Sequence, residues 1–290
     1  MFRSYLFSPG DSEKKLAKSL ESGADCVILD LEDSVAVVNK PKARALVTDF
    51  VHNHADDYDR IWVRLNAIES DEFEKDLDAL KQAAPMGVVL PKSNSIDSVK
   101  VLSDALDSVE SASKRSIGAT KILAIATETA AGVLNMSSYQ SGHPRLAGLT
   151  WGAEDLAAAL SASSNVDEQG NFFHPFIMAR SLCLLAASAA GVPAIEGVAT
   201  DFRNLEVLRQ DTLRARQEGF FGRLAIHPAQ VPVINQAFLP TAQEVDWANR
   251  VVEVFESGEV GVAKLDGKMV DIPHYAQAQK IIGLAQRFAD

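Results

Sequence analysis

Cysteine is scarce in this chain: only Cys26 and Cys183 occur among 290 residues, and both lie in apolar stretches. Two buried thiols fit such positions better than a disulfide, which excludes a small disulfide-stabilised secreted domain. No apolar run approaches the ~20 residues that span a bilayer. The first ten residues, MFRSYLFSPG, lack the basic-then-apolar order of a signal peptide. We therefore expect a cytoplasmic protein with no membrane partner.

Positive charge is also in short supply, with 28 Lys and Arg against 39 Asp and Glu and a net charge of -11. This balance argues against nucleic acid or an anionic membrane surface as the main partner. It does not exclude an anionic small molecule, because a local cluster of basic side chains can outweigh the global sign. Apolar residues make up 47% of the chain, which is enough for one large α/β domain or two small ones.

Short apolar runs recur along the first 226 residues and predict strands. Most of them are too short and too uniformly apolar for surface helices, and such runs suit parallel strands buried on both faces. The predicted strands cover residues 4–8, 25–31, 61–65, 86–90, 121–126, 146–151, 194–199 and 223–226.

Amphipathic segments with helical spacing separate these runs, including residues 11–22, 71–84, 178–190 and 204–218. Eight strand–helix alternations predict an α/β fold of the (β/α)8 TIM-barrel type, which needs ~250 residues. A doubly wound open sheet is the alternative, and the lack of a glycine-rich phosphate turn in FSPGDS weakens it. We expect a catalytic barrel over residues 1–235. Residues 236–290 are expected to form a helical and hairpin extension that covers a barrel end or reaches a neighbouring subunit.

Ionisable or polar residues follow nearly every predicted strand, where catalytic groups of such barrels project. They are Asp30, Glu32, Asp33, Arg64, Asn66, Lys92, Glu128, Glu154, Asp155, Asp201 and His227. Carboxylates that converge without a cation raise one another's pKa, and a hard divalent cation removes that penalty. Because Glu128 and Asp155 follow neighbouring strands and have no His or Cys nearby, they suit Mg²⁺, or Mn²⁺, better than Zn²⁺.

Each of these residues also has a structural interpretation. Glu128 and Asp155 are natural acids for the first turn of a helix. Arg64 could pair with Asp30 or Asp33 solely to stabilise the barrel. Lys92 could be a solvated loop residue, and His227 fits a hydrogen-bonded rim residue better than a ligand. The spacing alone leaves these alternatives open.

Eight segments follow one another between residue 3 and about residue 285: RSYLFSPG, GADCVILDLEDSV, VRLNA, GVVLPK, ATETAAGV, GLTWGAEDLAAAL, GRLAIHPAQVPVINQAF and DGKMVDIPH. In this order they resemble the HpcH/HpaI aldolase and citrate lyase family, and most closely its citrate lyase β-subunit-like branch. The chain departs from the family pattern in two places. Ser93-Asn94 stands where relatives often carry Val-Glu, and Ala131 stands where they often carry Arg.

The resemblance implies a TIM barrel, trimeric or built from trimers, that cleaves or forms a carbon–carbon bond beside an acyl-CoA thioester. It implies that Glu128 and Asp155 hold Mg²⁺ and that Arg64, Glu128 and the backbone at Ala153 bind a 2-oxo acid. Asp271 matches an acid that arrives from the adjacent subunit as the general acid or base, although a turn residue before Ile272-Pro273 is its structural alternative.

The expected reaction is the reversible conversion of malyl-, citramalyl- or citryl-CoA to a 2-oxo acid and acetyl-CoA. Arg3, Lys14 and Lys40 are candidates for CoA binding. One alternative is a metal-dependent aldolase on free hydroxy-oxo acids, which would use a rim histidine as base, whereas His227 follows a different strand. Another is the β-subunit of a citrate lyase complex that acts on an acyl-carrier thioester.

Overall fold

The computed structural model describes residues 2–257 and 261–288. The chain divides into two compact units, Met1–Asn235 and Gln236–Asp290. Among the described residues, both cysteines are buried free thiols. Over the same residues, the structure contains no helix with the length and apolar character of a bilayer span.

In the first unit, eight strands of the described chain are parallel and close into a barrel in sequence order, with the last strand pairing with the first. The predicted TIM barrel is confirmed, and the doubly wound open sheet is wrong. The strands are β1 (Ser4–Pro9), β2 (Cys26–Asp30), β3 (Ile61–Arg64), β4 (Gly87–Leu90), β5 (Lys121–Ile125), β6 (Leu146–Thr150), β7 (Ala194–Glu196) and β8 (Gly222–Ala225).

Helices follow or connect the strands, as the amphipathic segments predict. They are α1 (Glu13–Leu20), α2 (Lys40–Asn53), α3 (Phe73–Leu80), α4 (Ile96–Ala112), α5 (Ala130–Leu134), α6 (Ala153–Ala159), α7 (His174–Ala189), α8 (Leu205–Glu218), α9 (Gln230–Ala237), α10 (Ala242–Glu256) and α11 (Ile272–Arg287).

The barrel interior is filled by one face of the strands. The interior cluster comprises Tyr5, Cys26, Ile28, Trp62, Val89, Leu123, Ile125, Ile195 and Leu224. Because side chains alternate between the two faces of a strand, a residue two positions beyond an interior residue points the same way. Asp30 follows Ile28 by two, Arg64 follows Trp62 by two, and the two Cα atoms are register partners. The strand geometry therefore turns both charged side chains into the C-terminal mouth of the barrel.

In the second unit, β9 (Val262–Leu265) and β10 (Lys268–Asp271) form an antiparallel hairpin. Its turn holds Asp266 and Gly267 with φ of 51° and 79°, positive values that Asp-Gly turns accommodate. Residues 258–260 of the predicted extension lie outside the described residues. Helix α10 begins with a capping box between Thr241 and Glu244. A small core of Ala248, Val251, Val270 and Ala278 joins the hairpin to the two helices.

Candidate active site

Arg64, at the end of β3, is bound to Asp30 at the end of β2. Its Nε and Nη2 donate to the two carboxylate oxygens of Asp30, and both hydrogen bonds are 2.7 Å long. The guanidinium lies 4.7 Å from the Phe7 ring centroid. Burial raises the pKa of Asp30, but Arg64 and backbone N–H groups more than offset it, so the pKa falls below its usual value. Asp30 thus stays ionised and fixes the guanidinium, while three of its five N–H donors are not used by this pair.

Glu32 links this pair to Lys92. One oxygen of Glu32 lies 3.0 Å from Arg64 Nη1, and the other accepts a hydrogen bond from Lys92 Nζ. Glu32 is 5% exposed, and burial raises its pKa, a shift that Arg64 and Lys92 oppose. Two cations from β3 and the loop after β4 are therefore tied together through one buried carboxylate.

Glu128, after β5, projects into the same mouth. It is 4% exposed, and its Oε2 accepts a hydrogen bond from the backbone N–H of Lys92. Burial, followed by the neighbouring Asp155, raises the pKa of Glu128 to about 8. A buried carboxyl this close to a second acid is the arrangement that a cation stabilises.

Asp155 lies in the first turn of α6, which starts at Ala153 directly after Gly152. A Cβ at Gly152 would approach Glu128 Cγ to 2.9 Å, so glycine is required for the α6 start to come this close to Glu128. Asp155 Oδ1 lies 3.4 Å from Lys92 Nζ. Ala153 is the first residue of the helix, where backbone N–H groups have no intrahelical partner and can face an anion.

The residues present fit a hard cation. Glu128 and Asp155 offer carboxylate oxygens, and Mg²⁺ commonly takes one or two carboxylates while water and substrate oxygens complete its coordination. Among the residues that the structure describes, no group of three or more His, Cys, Asp or Glu side chains is placed to hold a metal. A pair of acids with open positions is typical of magnesium rather than of a closed zinc site.

Asp271, the predicted proton-transfer residue, belongs to the second unit. It is the N-cap of α11, and its carboxylate pairs with His274 Nδ1 in a capping box. The hydrogen bond from His274 lowers the pKa of Asp271. The turn position anticipated before Ile272-Pro273 is therefore a helix cap, and His274 is a partner that the sequence pattern did not indicate.

Other rim residues have structural contacts. Asn66 is buried and bonds to Asp76 and Lys40, which fixes the loop after β3. Asp201 accepts from the Arg203 backbone. His227 stacks on Phe202 at 4.7 Å and accepts a hydrogen bond from Ala229 N–H.

Two of the three candidates for CoA binding already have partners within the chain. Lys40 is buried, and its Nζ donates to the carbonyls of Leu31 and Glu32. These hydrogen bonds fix the loop after β2. Arg3 precedes β1 and pairs with Asp25 at 2.8 Å, at the end of the barrel opposite the acids. Lys14 is exposed on α1.

Comparison with known proteins gives consistent similarities over the whole chain. The sequence model of the HpcH/HpaI aldolase/citrate lyase family matches residues 3–228. A (3S)-malyl-CoA thioesterase of Cereibacter sphaeroides is 34% identical over 292 residues, covering 99% of this chain and 96% of that protein. A citrate lyase subunit beta-like protein of Mycobacterium tuberculosis is 35% identical over 278 residues, covering 96% and 93%.

A solved structure extends the similarity to the fold. The CitE protein of Mycobacterium tuberculosis, in complex with magnesium, acetoacetate and coenzyme A, has a TM-score of 0.81 and 34% identity and covers 98% of each chain.

Proposed function

Because the chain belongs to the HpcH/HpaI aldolase/citrate lyase family of lyases, we propose that it is a magnesium-dependent carbon–carbon lyase. Its substrate would be a 3-hydroxyacyl-CoA such as malyl-, citramalyl- or citryl-CoA, and its products a 2-oxo acid and acetyl-CoA. One observation supports this most strongly. Glu128 and Asp155 converge beside a fixed Arg64 in a chain that resembles a structure containing magnesium, acetoacetate and coenzyme A.

In this proposal Glu128 and Asp155 hold Mg²⁺ or, in its place, Mn²⁺. The bound ion would supply a Lewis acid and a template for the oxygens of the 2-oxo acid. Arg64 would offer the same oxygens the N–H donors that Asp30 and Glu32 leave unused, and its pairing with Asp30 means that little reorganisation accompanies substrate binding. The backbone N–H at Ala153 seats the carboxylate of the oxo acid.

Asp271 would move the proton. In the synthetic direction it removes a proton from the acyl-CoA methyl group, and in cleavage it returns one to the acetyl-CoA carbon. We propose that it does so in the site of a neighbouring subunit, within a homotrimer or a multiple of trimers. His274 holds the Asp271 carboxylate in one orientation, which leaves the second carboxylate oxygen for proton transfer.

Two further activities are tested against this one. Thioester hydrolysis is favoured by the name of the Cereibacter relative, and it would release free CoA without breaking a carbon–carbon bond. An aldolase on free hydroxy-oxo acids would need no CoA.

The experiment incubates the purified protein and Mg²⁺ with malyl-, citramalyl- and citryl-CoA, and separately with the corresponding free acids. Carbon–carbon cleavage yields a 2-oxo acid and acetyl-CoA, whereas hydrolysis yields free CoA thiol and the hydroxy acid. We expect oxo acid in amounts equal to acetyl-CoA, with no turnover in EDTA or by Asp155→Asn. Free thiol without oxo acid, or turnover of the free acids alone, would overturn the assignment as an acyl-CoA lyase.

Subunit crossing is tested by co-expressing Asp155→Asn with Asp271→Asn, each of which we expect to be inactive alone. If Asp271 acts across subunits, random mixing restores about a quarter of the sites in a trimer. Because a site in which both residues come from one chain cannot be restored by mixing, an inactive mixture would refute the crossing.

A further inference from the structure

Lys92 stands out because its backbone adopts the left-handed conformation, with φ of 51°. It follows Pro91 at the C-terminal end of β4. Residues other than Gly, Asn and Asp seldom take this conformation, and they keep it only where surrounding contacts enforce it. The contacts of Lys92 therefore indicate which interactions hold its backbone in the left-handed conformation.

The side chain of Lys92 faces three carboxylates. Its Nζ donates to Glu32 and lies 3.6 Å from Asp33 Oδ2 and 3.4 Å from Asp155 Oδ1. One ammonium group thus contacts acids from the loop after β2 and from α6. Among these, Asp155 is one of the two proposed metal ligands.

The backbone of Lys92 reaches the other proposed ligand. Its N–H donates to Glu128 Oε2, which leaves Glu128 Oε1 beside Gly152. With the left-handed backbone, the N–H and the ammonium of one residue address Glu128 and Asp155 at the same time. In the described chain, Lys92 is the residue that contacts both carboxylates through ion pairing or hydrogen bonding.

We propose that Lys92 is the built-in counter-ion of the metal site, a positioning residue that orients Glu128 through its N–H and weakens magnesium binding through its ammonium. This inference rests on the proposed function, since it takes Glu128 and Asp155 as the ligands. The ammonium competes for Asp155 and also adds positive charge within a few ångströms of both acids. In exchange, it holds the two acids in place before any cation arrives.

A purely structural role makes the opposite prediction. If Lys92 only braced the loop, its removal would loosen both acids and weaken magnesium binding. If it is a counter-ion, its removal leaves the acids less neutralised, and magnesium binds more tightly. The direction of the affinity change therefore separates the two roles.

The experiment is calorimetric titration of MgCl₂ into the metal-free protein and its variants at constant pH and ionic strength. We expect Lys92→Met to bind Mg²⁺ about tenfold more tightly than the wild type. Lys92→Gly accepts the left-handed backbone and keeps the N–H that donates to Glu128. It should bind Mg²⁺ more tightly by the same factor, and it replaces Lys92→Met as the test if that variant does not fold. Lys92→Arg keeps the charge and should stay within about twofold of the wild type.

Lys100→Met is the matched control, because Lys100 is a lysine of α4 whose ion pair is with the exposed Asp97. The magnesium affinity of this variant should equal that of the wild type. Unchanged or weaker binding by folded Lys92→Met or Lys92→Gly, while the wild type binds, overturns the inference and leaves the proposed function standing. A wild type that binds no Mg²⁺ overturns both.

Discussion

Replacing Glu128 by Gln should inactivate the protein and yet stabilise it when no metal is present. Glu128 is 4% exposed, and burial together with Asp155 raises its pKa from 4.5 to about 8. Between these two pH values the folded state binds a proton that the unfolded state has lost, so the free energy of unfolding falls as the pH rises. At about 1.4 kcal/mol per pKa unit, this costs the wild type roughly 3 kcal/mol at pH 7.

Glutamine removes the titration while its carbonyl can still accept the Lys92 N–H. Urea unfolding in EDTA should therefore show Glu128→Gln to be more stable than the wild type by about 3 kcal/mol at pH 7 and by less than about 1 kcal/mol at pH 5. Excess Mg²⁺ should stabilise the wild type and leave the variant unchanged. A variant that is less stable than the wild type at pH 7, or a stability difference that does not depend on pH, would show that the pKa of Glu128 is not raised.

Glu110 supplies a control in which the same substitution should lower the free energy of unfolding instead of raising it. It is fully buried on α4 and accepts hydrogen bonds from Arg145 at 2.6 Å and 2.9 Å. Burial raises its pKa, but Arg145 and two backbone N–H groups lower it to about 2. Ionised Glu110 therefore stabilises the folded protein above pH 4.5, and this contribution is lost as the pH falls towards 2. Glu110→Gln should therefore lose about 3 kcal/mol at pH 7, where Glu128→Gln gains.

Three further substitutions test individual contacts. Gly152→Ala places a methyl group 2.9 Å from Glu128 Cγ, so Mg²⁺ binding measured by calorimetry should weaken about tenfold; unaltered binding would contradict the close approach. Arg64→Lys cannot make both hydrogen bonds to Asp30, and the rate of acyl-CoA cleavage should fall ~100-fold or more; near-normal turnover would remove Arg64 from the site. Asp271→Asn keeps an N-cap of α11, so pyruvate affinity and thermal stability should be retained while turnover falls, and an unaltered rate would exclude proton transfer by Asp271.

The barrel and the location of its polar mouth could be predicted because both depend on local pattern. Short apolar runs such as residues 26–29 (CVIL), repeated between helical segments, favour strands buried on both faces. In a closed parallel barrel the C-terminal ends of all strands meet at one mouth. Glu128 and Asp155 could therefore be placed together from their positions after β5 and β6.

The pairing of charges could not be predicted, because it depends on register and rotamers. The sequence left Arg64 with either Asp30 or Asp33 as its partner. The structure pairs it with Asp30, its register neighbour, whereas the Asp33 side chain is 57% exposed. Similarly, nothing in the pattern shows that Lys40 is buried beneath the loop after β2 or that Lys92 has a left-handed backbone. Both follow from the packing of segments distant in sequence.

The proposed chemistry requires Glu128 and Asp155 to hold one hard cation together. Crystals soaked in Mn²⁺ and pyruvate test it most directly, because manganese gives an anomalous signal and binds the same oxygen ligands as magnesium. We expect a single anomalous peak within ~2.2 Å of an oxygen of each carboxylate, with the Lys92 ammonium withdrawn from Asp155. A peak elsewhere, or no peak while Lys92 still lies against Asp155, would contradict it.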